Sequence, residues 1–210
     1  MKYKGIIFDL DGVICNTDEY HYLAWKQLAD RLGIPFDRER NNLLRGISRM
    51  ASLDIILRYS NYSFSDEEKT ALAKEKNDLY RQLLNQMTPD NLSTDVKDTL
   101  EKLRHSGLQL AIGSSSRNTP LILERLGLND YFDAVIDGNS ITKSKPDPEV
   151  FLKASQTLKL APAECLIVED AHAGVQAAVA GGFDCAAMGN AKNDDQAVFH
   201  INHFSELLTI

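Results

Sequence analysis

The sequence predicts an α/β fold whose parallel sheet is interrupted, after its first strand, by a helical insert. Short apolar runs alternate with stretches of helical spacing from about residue 96 onwards, a pattern that indicates right-handed βαβ units. The apolar run at residues 5–8 has the same character, yet residues 16–88 show helical spacing and no convincing strand pattern. Because the first strand belongs beside the later ones, the insert must leave the core and return.

The insert is predicted to contain three clear helices. The first begins near Asn16 or Thr17, where a capping box with Glu19 is expected, and ends before residue 33. The second covers about residues 48–59, and the third opens at a capping box that begins with Ser65 and ends before residue 89. The two crossings, at 15–16 and 90–93, are natural hinges. We therefore expect a helical cap at 16–90 and a core made of 1–15 plus 91–210.

Helices and strands alternate in the rest of the core. The predicted strands are 108–112, 134–136, 165–168 and 184–188, of which the last is expected to be the final strand of the sheet. One predicted helix ends near residue 107, and three others cover 120–127, 147–158 and 171–180. Each of them stops at a glycine or before the next strand.

The composition is that of an acidic globular protein. The 210 residues are 43% hydrophobic and carry a formal net charge of −7, so there is no general basic field for nucleic acid. No apolar stretch of about 18 residues occurs, and the N-terminus lacks a signal-peptide pattern. We expect a cytoplasmic monomer that binds neither membranes nor nucleic acid. Cys15, Cys165 and Cys185 are expected to be buried hydrophobes, with a redox role for Cys15 left open.

Two acidic residues follow the first predicted strand. Asp9 and Asp11 are separated by one residue and followed by Gly12, which permits a tight turn. Both side chains would point into the crevice at the carboxyl ends of the strands, where open parallel sheets bind ligands. Paired carboxylates suit Mg²⁺, and one can attack phosphorus while the other transfers protons. The alternative is an Asx-rich turn without chemistry.

Three further polar clusters lie at comparable positions. The loop at residues 114–118 offers hydroxyls, amides and a following helix N-terminus, which together can bind phosphate. Lys145 precedes a rigid Pro turn and can provide a fixed positive charge, while Glu169 and Asp170 suit a cation. Each alone has an ordinary alternative, namely a polar loop, a solvated lysine and a helix N-cap. Together they place four polar clusters on one edge of the sheet.

These motifs resemble the haloacid dehalogenase superfamily of phosphoryl-transfer enzymes. The resemblance implies a Rossmann-like parallel-sheet core with an inserted all-helical, four-helix-type C1 cap. The chain further resembles the β-phosphoglucomutase family, at residues 19–21, Trp25, 46–49, 76–77 and 116–118. That closer resemblance implies an Mg²⁺-dependent interconversion of β-D-glucose 1-phosphate and glucose 6-phosphate. It also implies one Mg²⁺ per chain, an aspartyl-phosphate and β-glucose 1,6-bisphosphate as intermediate and activator.

The resemblance also implies residue roles. Asp9 would be the nucleophile and Asp11 the general acid/base, with Thr17 at the hinge adjusting Asp11 and His21 gating its protonation. Ser114 and Lys145 would hold the transferring phosphoryl group. The implied magnesium ligands are Asp9, Asp11 through its backbone carbonyl, Asp170, and Glu169 in or just behind the coordination sphere. The implied substrate-binding residues are Gly46, Ile47, Ser48, Arg49, Trp25, Lys76, Ser115, Ser116, Arg117 and Asn118.

Several alternatives remain open from the residues alone. Arg49 is either part of a distal phosphate site or a solvated helix charge, and Lys76 either reaches the domain interface or snorkels to solvent. His21 is either a core histidine or a neighbour of Asp11. Trp25 is expected to pack in the core, with sugar binding as the alternative. The sequence departs from the family pattern at 93–95, Arg117 and 50–51, which leaves a related sugar phosphate possible as substrate. A sugar-phosphate phosphatase is the alternative function, followed by a non-catalytic sensor.

Overall fold

The computed structural model describes residues 2–210, and within that range it contains eight α-helices and six β-strands. The strands are β1 (Gly5–Phe8), β2 (Gln109–Gly113), β3 (Ala134–Ile136), β4 (Cys165–Glu169), β5 (Asp184–Ala187) and β6 (Phe199–His200). The helices are α1 (Asp18–Arg31), α2 (Arg38–Asn42), α3 (Arg49–Leu57), α4 (Asp66–Leu84), α5 (Thr94–His105), α6 (Thr119–Leu126), α7 (Glu149–Leu158) and α8 (His172–Ala180). The predicted α/β architecture with a helical insert is confirmed.

The strands form one parallel sheet in the order β3-β2-β1-β4-β5-β6. Strand β1 lies at the centre, and Phe8 is level with Ile112 of β2 and with Val168 of β4. All four β1 residues are buried, as expected for a parallel strand covered on both faces. The carboxyl ends of these three strands therefore meet at one edge, where the predicted polar clusters begin.

Each face of the sheet has its own hydrophobic core. Phe8 and Leu110 belong to one core and Ile7 and Ile167 to the other, because successive side chains of a strand point to opposite faces. Helices cover both faces, which explains why the strands lack polar alternation. The two cores hold the central strands rigidly, so the residues that follow them start from fixed positions.

Helices α1–α4 lie between β1 and β2 in the chain. A third hydrophobic cluster, which includes Trp25, Leu28, Leu53 and Ile56, consists entirely of side chains from the insert. Burying an aliphatic or aromatic side chain of this size contributes about 1.5–3 kcal/mol. The insert thus has a core of its own, while Tyr80 at the far end of α4 packs against the cluster on one face of the sheet.

Two local predictions were wrong, and one helix was missed. Asn16 and Glu19 form no capping box; Thr17 occupies the N-cap position and its side chain does not cap the helix, because its hydroxyl donates to Asp11 instead. Helix α2 was not predicted, since its sequence has no apolar periodicity. The expectation that 184–188 is the final strand was wrong, because β6 follows it; with only two residues, β6 has too little sequence pattern to be predicted. The capping box at Ser65 is confirmed.

No helix in the described part of the chain is long and apolar enough to cross a membrane. The three cysteines are all free and buried, as predicted. Burial, followed by the charges of Asp11 and Asp9, raises the pKa of Cys15 well above its usual value. Cys15 is therefore a protonated, weakly reactive thiol in this structure.

Candidate active site

A cavity of about 480 Å³ lies between the carboxyl edge of the sheet and the helical insert. This is a typical volume for a small-molecule site. Most of the predicted site residues line it: Asp9, Asp11, His21, Trp25, Gly46, Ile47, Ser48, Arg49, Lys76, Ser114, Ser115, Ser116, Arg117, Asn118 and Asp170. The other three, Thr17, Lys145 and Glu169, are buried in the protein beside these lining residues.

A buried ion-pair network fixes Asp9. The ammonium group of Lys145 lies 2.5 Å from Asp9 Oδ1 and also donates to Glu169 Oε1. The second oxygen of Glu169 accepts from the backbone N–H groups of Asp170 and Ala171, at 3.0 and 3.1 Å. Burial alone would lower the pKa of Lys145, but the charges of Asp9 and Glu169 raise it overall, so the lysine stays protonated. Glu169 thus holds Lys145 against Asp9.

The same carboxylates suit a divalent cation. One oxygen from each of Asp9, Glu169 and Asp170 lies within 4.8 Å of the others. Burial, against the opposing charge of Lys145, raises the pKa of Glu169 to about 7. Burial, followed by the charges of Glu169 and Asp9, raises the pKa of Asp170 to about 8. Hard oxygen donors with excess negative charge are the ligand set that Mg²⁺ prefers. These residues therefore fit a magnesium ion.

Gly12 allows the turn at residues 9–12 to lie against Asp170. It has φ +92°, and a Cβ at this position would lie 2.2 Å from Asp170 Oδ2. Any other residue would be strained in this conformation and would collide with the carboxylate. Gly12 therefore allows the turn and Asp170 to approach each other closely.

Asp11 is placed for proton transfer. Thr17 donates its hydroxyl proton to Asp11 Oδ1, which connects the start of α1 to the turn after β1. Burial, and then the charge of Asp9, raise the pKa of Asp11 to about 7. A carboxyl group that titrates near neutrality exchanges protons readily in both directions. The position and the pKa both support the predicted acid/base role.

The opposite wall of the cavity is cationic. Arg49, Lys76 and Arg117 all line it, and within residues 2–210 none of them pairs with a carboxylate within 4 Å. Burial, followed by the charge of Arg117, lowers the pKa of Arg49. Burial, followed by the charge of Arg49, lowers the pKa of Lys76 well below its usual value, so a bound anion would stabilise its charged form. Arginine pairs with phosphate in bidentate fashion. Arg49 is half-buried rather than solvated.

Lys76 lies inside the protein and does not snorkel. It is 2% exposed, its ammonium lies 2.9 Å from His21 Nδ1, and it sits over the rings of Trp25 and Tyr80 at 4.6 and 4.5 Å. Burial and the charge of Lys76 lower the pKa of His21 well below its usual value. His21 is therefore neutral, and its Nδ1 accepts from the lysine. Trp25 belongs to the hydrophobic cluster of the insert while also lining the cavity.

The loop at residues 114–118 is held by its own hydrogen bonds. Ser114 Oγ accepts from the backbone of Ser116 at 3.1 Å. Asn118 is engaged by α4, donating to Asn77 Oδ1 at 2.9 Å and accepting from Arg81 at 3.2 Å. The buried hydroxyl of Ser115, in contrast, has no partner within residues 2–210. This hydroxyl is available to a ligand at the wall of the cavity.

One cation that was not predicted from the sequence connects the insert with the core. Arg45 forms an ion pair with Asp18 and lies 3.6 Å from Asp170 Oδ2. With its amide oriented to accept, Asn190 receives two further hydrogen bonds from Arg45, at 3.2 and 3.1 Å. The sequence feature that could have identified Arg45 is its position directly before Gly46, in the segment predicted to bind substrate.

Comparison with known proteins agrees with this geometry. Residues 6–188 match the family described as haloacid dehalogenase-like hydrolase. A beta-phosphoglucomutase of Bacillus subtilis (strain 168) is 42% identical over 188 residues, covering 89% of this chain and 83% of that protein. A fructose-1-phosphate phosphatase of Escherichia coli (strain K12) is 33% identical, covering 87% and 95%.

Solved structures give the same result. The crystal structure of a beta-phosphoglucomutase from Clostridium difficile has a TM-score of 0.91 and 37% sequence identity, covering 98% of this chain and 93% of that one. The similarity therefore includes the insert as well as the sheet. The relatives include both a mutase and a phosphatase, so the choice between these activities depends on the site itself.

Proposed function

The chain belongs to the haloacid dehalogenase-like hydrolase family, and on that premise we propose that it is a phosphomutase acting on β-D-glucose 1-phosphate. The product would be glucose 6-phosphate, formed through an aspartyl-phosphate at Asp9 and β-glucose 1,6-bisphosphate. The similarity to beta-phosphoglucomutases from two bacteria supports this substrate.

The proposal depends on one observation: the cavity has an acidic wall on one side and a cationic wall on the other. On one side the Asp9 carboxylate is held by Lys145 beside a set of acids that suits Mg²⁺. On the other, Arg49, Lys76 and Arg117 have no anionic partner within residues 2–210. A hydrolase requires one phosphate site, whereas a mutase must hold a second phosphate while the first one reacts. The cationic wall supports such a distal site.

The first proposed half-reaction begins with phosphorylated Asp9. The 6-hydroxyl of glucose 1-phosphate attacks phosphorus, and its proton passes to Asp11. The bond between phosphorus and Asp9 breaks, and its electron pair returns to the carboxylate. Meanwhile the 1-phosphate rests against Arg49 and its neighbours. The product is the bisphosphate.

The second half-reaction requires the bisphosphate to turn over in the cavity. Its 1-phosphate then faces Asp9, which attacks phosphorus and regenerates the aspartyl-phosphate. The bond to the sugar O1 breaks, and O1 receives the proton held by Asp11. The charge of Lys145 offsets the negative charge that accumulates on the transferring group. A magnesium ion, when bound by Asp9, Asp170 and their neighbours, supplies further neutralisation of this charge.

We also propose the domain boundaries. Residues 16–90 would form the cap and residues 1–15 plus 91–210 the core, acting as a monomer with hinges at 15–16 and 90–93. The separate hydrophobic cluster of the insert supports this division. Closure of such a cap over bound sugar would exclude water from the aspartyl-phosphate.

A sugar-phosphate phosphatase is the second candidate. It is favoured by the 33% identity to a fructose-1-phosphate phosphatase over 95% of that protein's length. Both candidates use Asp9 and Asp11 in the same way, and they differ in whether water or a sugar hydroxyl receives the phosphoryl group.

Product analysis separates the two. The protein is incubated with Mg²⁺, β-glucose 1-phosphate and a trace of bisphosphate, and the products are quantified. Conversion to glucose 6-phosphate with little inorganic phosphate supports the mutase. Stoichiometric inorganic phosphate without glucose 6-phosphate would establish the phosphatase. Turnover that persists after Asp9→Asn would exclude both mechanisms, and loss of turnover in this variant excludes a non-catalytic sensor.

A further inference from the structure

The turn that follows β3, at residues 137–140, packs directly against the loop at residues 114–118. Gly138 is buried at the contact. A Cβ at this position would collide with the backbone oxygen of Ser115 and lie 3.0 Å from the backbone nitrogen of Arg117. The turn can approach the loop this closely because residue 138 is a glycine.

The turn holds Arg117 at two points. Arg117 Nε donates to the backbone oxygen of Gly138 at 3.2 Å, and the side-chain amide of Asn139 donates to the backbone oxygen of Arg117 at 3.1 Å. The turn itself is tied to the buried carboxylate of Asp137, which accepts from the backbone and the side chain of Asn139 at 2.9 and 2.8 Å. Both the backbone and the guanidinium plane of Arg117 are thus held, although the residue is exposed.

The anchored guanidinium keeps donors for a ligand. Arginine carries five N–H groups in one rigid plane, so a hydrogen bond from Nε orients the terminal nitrogens without using them. Arg117 lines the cavity, and its charge lowers the pKa of Arg49 on the same wall. Each guanidinium therefore experiences the like charge of the other, and an anion bound by both would relieve this repulsion.

We propose that Gly138 and Asn139 are positioning residues that hold Arg117 ready for the phosphate that does not react. This role rests on the proposed function, which requires a second phosphate site. Ordering a long, exposed side chain when a ligand binds weakens affinity. The turn orders Arg117 in advance, so the core presents a fixed pair of donors to the substrate, which suits bidentate pairing with phosphate.

The test is a double-mutant cycle between Asn139→Ala and Arg117→Ala, measured as kcat/KM for β-glucose 1-phosphate. With Arg117 present, Asn139→Ala should lower kcat/KM about three- to tenfold, the range expected for ordering one long side chain, and mainly through a higher KM. In the Arg117→Ala background the same substitution should change it by less than about 1.5-fold, because the residue that it positions is absent.

A second substrate and a matched control separate positioning from damage to the fold. Hydrolysis of p-nitrophenyl phosphate, which carries no second phosphate, should change by less than about 1.5-fold in Asn139→Ala. Ser140→Ala is the control, since Ser140 is exposed in the same turn and donates to Asp137 at 3.2 Å. It should leave both rates within about 1.5-fold of the wild type.

Arg117→Lys tests the anchor at Gly138. The lysine keeps the positive charge but has no Nε–H group that can bond to Gly138 while other donors face the ligand. We expect this variant to retain less than about a third of the wild-type kcat/KM for β-glucose 1-phosphate. Wild-type kcat/KM would show that the charge alone suffices and would overturn the role of Gly138.

Two results of the cycle would also overturn the proposal. An equal loss from Asn139→Ala in both backgrounds would assign the turn a purely structural role, and no loss with Arg117 present would show that this arginine needs no positioning. Failure of the proposed function is seen separately, as inorganic phosphate in place of glucose 6-phosphate among the products of the wild-type protein.

Discussion

The distal phosphate site is tested by replacing Arg49 with alanine. This residue lines the cavity, is half-buried and has no carboxylate partner within residues 2–210. A charge-assisted hydrogen bond contributes about 1.5–3 kcal/mol, and tenfold in rate corresponds to about 1.4 kcal/mol. Loss of one such bond should therefore lower kcat/KM for β-glucose 1-phosphate about 10- to 150-fold.

The assay compares that substrate with p-nitrophenyl phosphate, whose single phosphate reacts only when it occupies the site at Asp9. Hydrolysis of this ester by Arg49→Ala should remain within about threefold of the wild type, because the reacting phosphate does not contact the distal site. Arg58→Ala is the matched control, since Arg58 is exposed just beyond the same helix, and it should change neither rate. Equal losses with both substrates would refute a distal-site role for Arg49.

Three further predictions concern the acidic side of the cavity. Replacing Lys145 by methionine leaves two buried carboxylates without their shared cation. In urea denaturation of the metal-free protein, the free energy of unfolding should therefore fall by about 3–5 kcal/mol. The control, Lys143→Met at an exposed position, should change it by less than about 0.5 kcal/mol, and an equally small loss at Lys145 would contradict the ion-pair network. Gly12→Ala would place a Cβ 2.2 Å from Asp170 Oδ2, so calorimetry should find weaker Mg²⁺ binding, and wild-type affinity would show that the turn adapts. Because burial raises the carboxyl pKa values at this site, Mg²⁺ should displace protons near neutral pH, and its affinity should rise between about pH 6 and about pH 9; a pH-independent affinity would contradict the raised pKa values.

The sheet and its polar edge were predictable because each depends on a local pattern. Apolar runs locate the strands and glycines the ends of the helices. Asp9 and Ser114 each follow a strand directly, and Glu169 is the last residue of β4. The parallel register then brings those positions to one edge. No side-chain orientation had to be known for this step, which is why the core part of the site could be assigned from sequence.

The insert side of the site was harder to predict because it depends on how helices pack. For Lys76 the sequence left the domain interface and solvent as alternatives, and only the packed structure shows it buried beside His21. Thr17 looked like a helix cap, but tertiary contact with Asp11 takes its hydroxyl away from the helix. Arg45 lies in a segment without periodicity. Its position before Gly46 indicated that it was near the site, but its contact with Asp170 is seen only in the folded structure.

The central claim is that the Asp9 carboxylate accepts the phosphoryl group of a sugar phosphate. It is tested most directly by mixing the Mg²⁺-loaded protein with β-glucose 1,6-bisphosphate, quenching rapidly in acid and locating the added phosphoryl group by peptide mass spectrometry. The account predicts a phosphoryl group on Asp9 that disappears when glucose 1-phosphate is added before the quench. A phosphoryl group on any other residue, or turnover without a phosphorylated protein, would contradict it.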